Sequence, residues 1–90
     1  MPYFVYVLKR ELDGSNYVGC TSNIKKRLKE HRLGNTRSTK NRGKLKLIYA
    51  EIFLNKKDAY SREKFLKTGW GKNYLKRTLS NYFQSQKLGG

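Results

Sequence analysis

The sequence predicts a small α+β domain in the order β-β-α-β-α-α, with a three-stranded sheet, antiparallel or mixed, flanked by helices. Three observations lead there. The stretch YFVYVL (Tyr3 to Leu8) is aromatic or β-branched at nearly every position, the pattern of a strand covered on both faces. Two more stretches of strand character follow it, and three others repeat apolar residues at helical spacing. Ninety residues make one domain, with a core near the lower limit of what folds alone.

Taken in order, Asp13-Gly14 marks a tight turn. NYVGC (Asn16 to Cys20) is then the returning strand of a hairpin. Thr21, Ser22 or Asn23 caps a helix that ends between His31 and Leu33, with Gly34 as its stop. NTRSTKNRGK (Asn35 to Lys44) carries Arg37, Lys40, Arg42 and Lys44, no acid and no large apolar side chain; it reads as a flexible basic loop. KLKLIYAEIFL is the third strand. Asn55 caps KKDAYSREKFLKT, a second helix with Asp58 in its first turn. Gly69-Trp70-Gly71 breaks that helix, and Leu75, Leu79, Tyr82 and Phe83 at i, i+4, i+7 and i+8 predict a third. The domain is expected over 1–84, with 85–90 a flexible C-terminal tail.

Composition narrows the function. A hydrophobic content of 37% and an aromatic content of 13% argue for a packed fold. No apolar run reaches membrane-spanning length, and the opening MPYFVYVL reads as a strand, not as a signal peptide. The single cysteine, Cys20, permits no internal disulfide and fits a reducing cytoplasm. One cysteine and one histidine do not make a four-ligand zinc site. Twenty-one Lys and Arg against six Asp and Glu give a formal charge of +15. Solubility asks for far less; a polyanionic partner, most simply nucleic acid, accounts for it. A membrane surface fits worse, because the basic residues are spread over every segment.

Two predicted helices carry charge where apolar residues belong. If Ile24 and Leu28 face inward, Arg27 and His31 lie on the same stripe; on the second helix Glu63 shares a stripe with Ala59, Leu66 and Trp70. The other acids have ordinary places: Glu11 and Asp13 in the hairpin turn, Asp58 at a helix start, Glu30 on an outer helix face, Glu51 on a strand. Arg27 and Glu63 pair as a buried salt bridge, or snorkel at the stripe's edge, or face a cleft. In a cleft, a lone carboxylate suits Mg²⁺, which keeps most of its waters, and an arginine suits a phosphate that gains charge. Tyr17 and Gly19 alternate onto one side of the sheet, and Gly19 leaves room for a close approach. With seven tyrosines in the chain, Tyr6 and Tyr17 alone would mean little.

VYV around Tyr6, YVG from Tyr17 to Gly19, Arg27 ten residues beyond Tyr17, RLKEH ending at His31, and Glu63 within REKFLK together resemble the GIY-YIG nuclease superfamily. The resemblance runs from about Phe4 to about Leu79. It is strongest to small stand-alone members related to the catalytic domain of the excision-repair nuclease, and the element order agrees with that fold. It implies a metal-dependent endonuclease that hydrolyses DNA phosphodiesters, acting on a DNA structure rather than a sequence, in repair or recombination. By the same resemblance Tyr17 takes the proton of the attacking water, and Tyr6 helps position that water or the phosphate. Arg27 stabilises phosphate charge, His31 assists the base, and Glu63 holds a single Mg²⁺ or Mn²⁺. Phe4 departs from the glycine of the first triplet. Asn73 is a candidate for an asparagine often found near the end of the domain, or else a helix cap. Lys67 is a possible i, i+4 partner of Glu63. Lys26, Arg37, Lys40, Arg42, Lys67 and Asn73 are the candidate DNA contacts. The alternative is a basic nucleic-acid-binding module that keeps the fold without efficient catalysis. No protein partner is implied.

Overall fold

The structure, a computed structural model, describes residues 1–32 and 44–87; Arg37, Lys40 and Arg42 therefore lie outside the described residues. Strand β1 (Tyr3–Arg10) sits at the centre of the sheet, between β2 (Asn16–Thr21) and β3 (Leu45–Phe53). Both pairings are antiparallel. Its central place explains why YFVYVL lacks alternation: Val5, Tyr6, Val7 and Leu8 are all buried, because helices or strands cover each side. The β1–β2 hairpin closes as its turn chemistry requires. Gly14 adopts a positive φ of 73°, Gly14 N–H donates to Arg10 O at 2.7 Å, and the Asp13 carboxylate accepts from Ser15 N–H at 3.0 Å. On the β3 side the register slips between Val7 and Leu8, leaving Ile48 as an extra residue in the ladder.

The two faces of the sheet serve different ends. Val5, Val7 and Val18 point one way and pack with Ala59, Leu66 and Leu75 as the apolar core. Ala59 and Leu66 belong to α2 (Lys56–Leu66), and Leu75 to α3 (Gly69–Thr78). Tyr6, Tyr17 and Gly19 point the other way, towards α1 (Ile24–Arg32). The caps are those expected. Asn23 Oδ1 accepts from Lys26 N–H at 3.1 Å, and Asn55 Oδ1 from Lys57 N–H at 2.8 Å.

The C-terminal third differs from the sequence reading. The expected third helix is two: α3 ends at Thr78 and α4 runs Ser80–Lys87, with Leu79 between them at φ −108°, ψ 27°. The apolar spacing continues across this kink, so periodicity alone hides it. Helical structure extends through Lys87, so residues 85–87 of the expected tail form the last turn of α4. Gly69-Trp70-Gly71 does more than stop α2: it forms the first turn of α3, where Thr68 Oγ1 accepts from Gly71 N–H at 3.2 Å. Because the chain turns there, Trp70 leaves the stripe of Ala59 and Leu66 and is 79% exposed. Among the described residues no helix is long and apolar enough to cross a membrane.

Gly71 is where α3 meets α2 most closely. A Cβ there would lie 2.2 Å from Phe65 O and 2.4 Å from Leu66 Cα, both backbone atoms, whereas one on Gly69 would meet nothing within 4 Å. Gly71→Ala is expected to destabilise the fold by about 1–3 kcal/mol through overpacking, and Gly69→Ala to leave the urea midpoint near that of the parent. Equal midpoints for the two variants would show that the helices do not approach this closely.

Candidate active site

The stripe that looked wrong on α1 is the part that meets the sheet. His31 is the buried residue of that helix, 2% exposed, and it covers Tyr6, which is 0% exposed. The Tyr6 hydroxyl and His31 Nε2 are 2.9 Å apart, a hydrogen bond. Tyr17 completes the cluster, its ring edge-on to His31 at 5.0 Å between centroids and 6.4 Å from Tyr6. Gly19 makes this possible. It pairs directly with Tyr6 across the ladder, and a Cβ there would come within 2.4 Å of the Tyr6 hydroxyl and 2.5 Å of its Cζ. The close approach expected at Gly19 is therefore made by the Tyr6 ring itself.

Arg27, one turn before His31, stands near enough for its charge to act on the Tyr6 hydroxyl. The phenol can donate to His31 Nε2 when that nitrogen carries no proton. Burial pushes the Tyr6 hydroxyl up to about 12, with Arg27 pulling against that and the charges of Tyr17 and Glu63 adding to it. Tyr6 stays a phenol at neutral pH and is wholly buried. The partner of its hydroxyl is His31. Burial, then the Arg27 charge, hold the His31 imidazole below its usual range, with Glu30 opposing.

The two charged residues do not form the buried pair that was one reading of their spacing. Arg27 Nη1 reaches Glu30 Oε1 at 3.3 Å, so Glu30 is not simply on the outer face. Glu63 Oε2 meets Lys67 Nζ at 3.0 Å, an ordinary i, i+4 pair. Arg27 Nε is buried with no hydrogen-bond partner among the described residues, while the side chain as a whole is 39% exposed. Glu63 is 21% exposed and comes from α2, which packs on the edge strand β2. Its charge is felt by both Tyr6 and Cys20. The structure thus joins Tyr6, Tyr17 and His31 directly and brings Arg27 and Glu63 within electrostatic reach.

Among the described residues no three His, Cys, Asp or Glu gather into a metal cluster. A single, partly open carboxylate does not build a closed zinc site, but it fits an ion that keeps its waters and takes one protein carboxylate, as Mg²⁺ does. Lys26 is exposed on α1. Asn73 is exposed in the interior of α3, and Thr68 holds the cap, so the reading of Asn73 as a cap is corrected.

One cluster went unread in the sequence. Arg62 donates to both oxygens of Glu51, at 2.8 and 3.0 Å, and lies over the rings of Tyr74 and Phe65 at 4.6 and 5.0 Å. Tyr49 donates to the same carboxylate. This clamp ties β3 to α2 and so fixes where the next residue, Glu63, can point. The signal available was Glu51 two residues from Tyr49 on one strand, on the same face.

The chain has one histidine, so its titration reports a single site. Because the folded pKa lies below the usual 6.5, folding favours the neutral ring. That stability is complete above about pH 6.5 and is lost as the pH falls through the folded value. Proton NMR of the ring should give a folded pKa below that of a peptide histidine, and His31→Gln should flatten the fall in urea midpoint across this window. A folded pKa above 6.5 would place the ring in solvent or beside an unopposed carboxylate.

Comparison with known proteins agrees with this geometry. The family model described as the GIY-YIG catalytic domain matches residues 2–85. A UPF0213 protein of Clostridium perfringens is 46% identical over 65 residues, covering 71% of this chain and 69% of its own. A UPF0213 protein of Bacillus licheniformis is 44% identical over 66 residues, covering 72% and 67%. The solution NMR structure of a UPF0213 protein from Bacillus halodurans superposes with a TM-score of 0.53 at 32% identity, covering 83% of this chain and 82% of that one. With the fold and the matched span in agreement, the chain belongs to the GIY-YIG catalytic-domain family.

Proposed function

We propose that the protein is a metal-dependent endonuclease that hydrolyses DNA phosphodiester bonds at the cleft between the β1–β2 hairpin and α1. The observation that carries this is Arg27, whose side chain is 39% exposed and opens to solvent at the edge of the cluster of Tyr6, Tyr17 and His31. A solvent-facing guanidinium is suited to a phosphate oxygen, which it meets with directed, charge-assisted hydrogen bonds. Membership of the family and the charge of +15 support the same reading.

The roles divide by burial. Arg27 receives the scissile phosphate and stabilises the charge that builds on it. Tyr17, half-buried on the edge strand, takes the proton of the attacking water. Tyr6 stays protonated and keeps Arg27 and His31 in place. His31, neutral at physiological pH, supports both tyrosine rings and is the group able to take a proton onward. Glu63 would hold one Mg²⁺ or Mn²⁺ in place of its contact with Lys67, and such an ion when bound supplies a Lewis acid for the phosphate and the leaving oxygen.

A second reading, a binding module without efficient catalysis, is favoured by the charge alone, so binding and cleavage are measured separately. Arg27→Ala is expected to slow plasmid nicking by about 10²–10³-fold, while DNA affinity changes little, since one cation of many is removed. Glu63→Gln should abolish Mg²⁺- or Mn²⁺-dependent nicking and bind DNA in EDTA at least as tightly as the parent. Its melting temperature should barely move, because an exposed i, i+4 pair is worth about 0.3–0.5 kcal/mol. A well-folded Glu63→Gln protein that nicks at the parental rate would end the assignment of Glu63 to the metal.

A further inference from the structure

A groove of about 1040 Å³ runs beside the cleft, between the β1–β2 hairpin and the helices α3 and α4. Of the five residues proposed above for chemistry, Tyr17 alone lines it, and Lys67, the partner of Glu63, lines it too. The groove and the cleft are therefore neighbours that share the edge strand β2.

Its lining has a definite chemistry. Lysines 9, 67, 72, 76 and 87 surround it, and no acidic residue contributes. From Lys64 onward the chain contains no Asp or Glu at all. Beneath the lysines the floor is apolar, made by Val18, Leu66, Leu75 and Phe83. Lys72 and Lys76 stand one turn apart on α3, both exposed, so their charges point into the same space without competing carboxylates. Cations along the walls with an aromatic ring on the floor match a strand of linked nucleotides, whose phosphates need charge and whose bases need a flat apolar surface. A simple anion would use the walls and leave the floor idle. An acidic peptide would use the walls but has no need of the ring.

We infer that this groove holds a short unpaired stretch of the DNA strand that enters the cleft, its phosphates on Lys72 and Lys76 and its bases against Phe83. The inference rests on the DNA-cleaving reading of the adjoining cleft for the identity of the strand, and on the groove's own lining for its position. At about 1040 Å³ the groove exceeds the roughly 300–1,000 Å³ of a typical small-molecule site and has room for a few linked nucleotides.

The test uses the full chain in EDTA, with fluorescence anisotropy of a labelled duplex carrying an unpaired oligothymidine tail and of the same duplex left blunt. Lys72→Ala/Lys76→Ala should weaken tailed DNA much more than blunt DNA, and should reduce the log–log salt slope for the tail by about 1.4, two phosphates at about 0.7 each. Lys25→Ala/Lys29→Ala, which removes the same charge from exposed positions on α1, should weaken both DNAs alike. Phe83→Leu, which keeps the floor apolar but removes the ring, should cost the tail at least about fivefold in affinity. Equal effects of the two lysine pairs would overturn the inference. So would a Phe83→Leu protein that is folded by circular dichroism and unchanged in tail binding, or polyglutamate displacing the tail as well as oligothymidine of equal charge does. Plasmid nicking separates the two readings. Selective loss of tail binding in a protein that never nicks sinks the nuclease and keeps the groove; nicking with no selective loss does the reverse.

Discussion

A phenol hydroxyl in the middle of a sheet must find a partner, since leaving it unsatisfied costs about 1–3 kcal/mol. Tyr6 meets that demand with His31 Nε2, and much of the α1 side of the molecule follows from it. The C-terminal end of α1 must press on the sheet, which puts His31 inside and leaves the longer Arg27, one turn earlier, at the rim. Gly19 must stay bare so that the Tyr6 ring can cross β2. At rest His31 is neutral, because a second proton would remove the acceptor and set two cations side by side. A strand pairing, a glycine, a helix orientation and a protonation state are thus held together by one oxygen atom.

The other side of the sheet has its own anchor. The Arg62–Glu51 ion pair, bidentate and roofed by Tyr74 and Phe65, sets the rotation of α2 about its axis. Glu63 is the next residue, about 100° further round the helix, and so turns away from β3 towards β2 and the cleft. Besides its ion pair with Lys67, Glu63 is aimed by a clamp on the opposite strand. Positioning of this kind lies outside any short motif, which names the residue that acts but not the pair that aims it.

The strands, the hairpin turn and the caps at Asn23 and Asn55 were legible in the sequence because each depends on local chemistry: β-branching, a glycine with positive φ, a short polar side chain at a helix start. The stripe carrying Arg27 and His31 was legible for the same reason, since periodicity reports which residues share a face. Periodicity does not report where a helix axis bends. Leu75, Leu79, Tyr82 and Phe83 keep their spacing through the kink at Leu79, and Trp70 kept the spacing of Ala59 and Leu66 after α2 had already ended. Nor does it choose between possible ion pairs. Arg27 took Glu30 and Glu63 took Lys67, each the near neighbour on its own helix, because a local partner asks less loss of side-chain freedom than a distant one. That Tyr6 is sealed and Tyr17 open depends on which strand is central, a fact of topology that no residue in the motif encodes.

The central place of β1 also bears on how the chain reaches this state. Its pairing with β2 is local and hairpins close within about 1–10 μs, but its pairing with β3 waits for a segment far along the chain, and such non-local contacts form slowly. In the interval the most apolar strand of the protein presents one unpaired edge and two uncovered faces, the combination that invites strands from other molecules. The formal charge of +15 then acts before any ligand is met: chains that repel one another keep that edge free until β3 arrives.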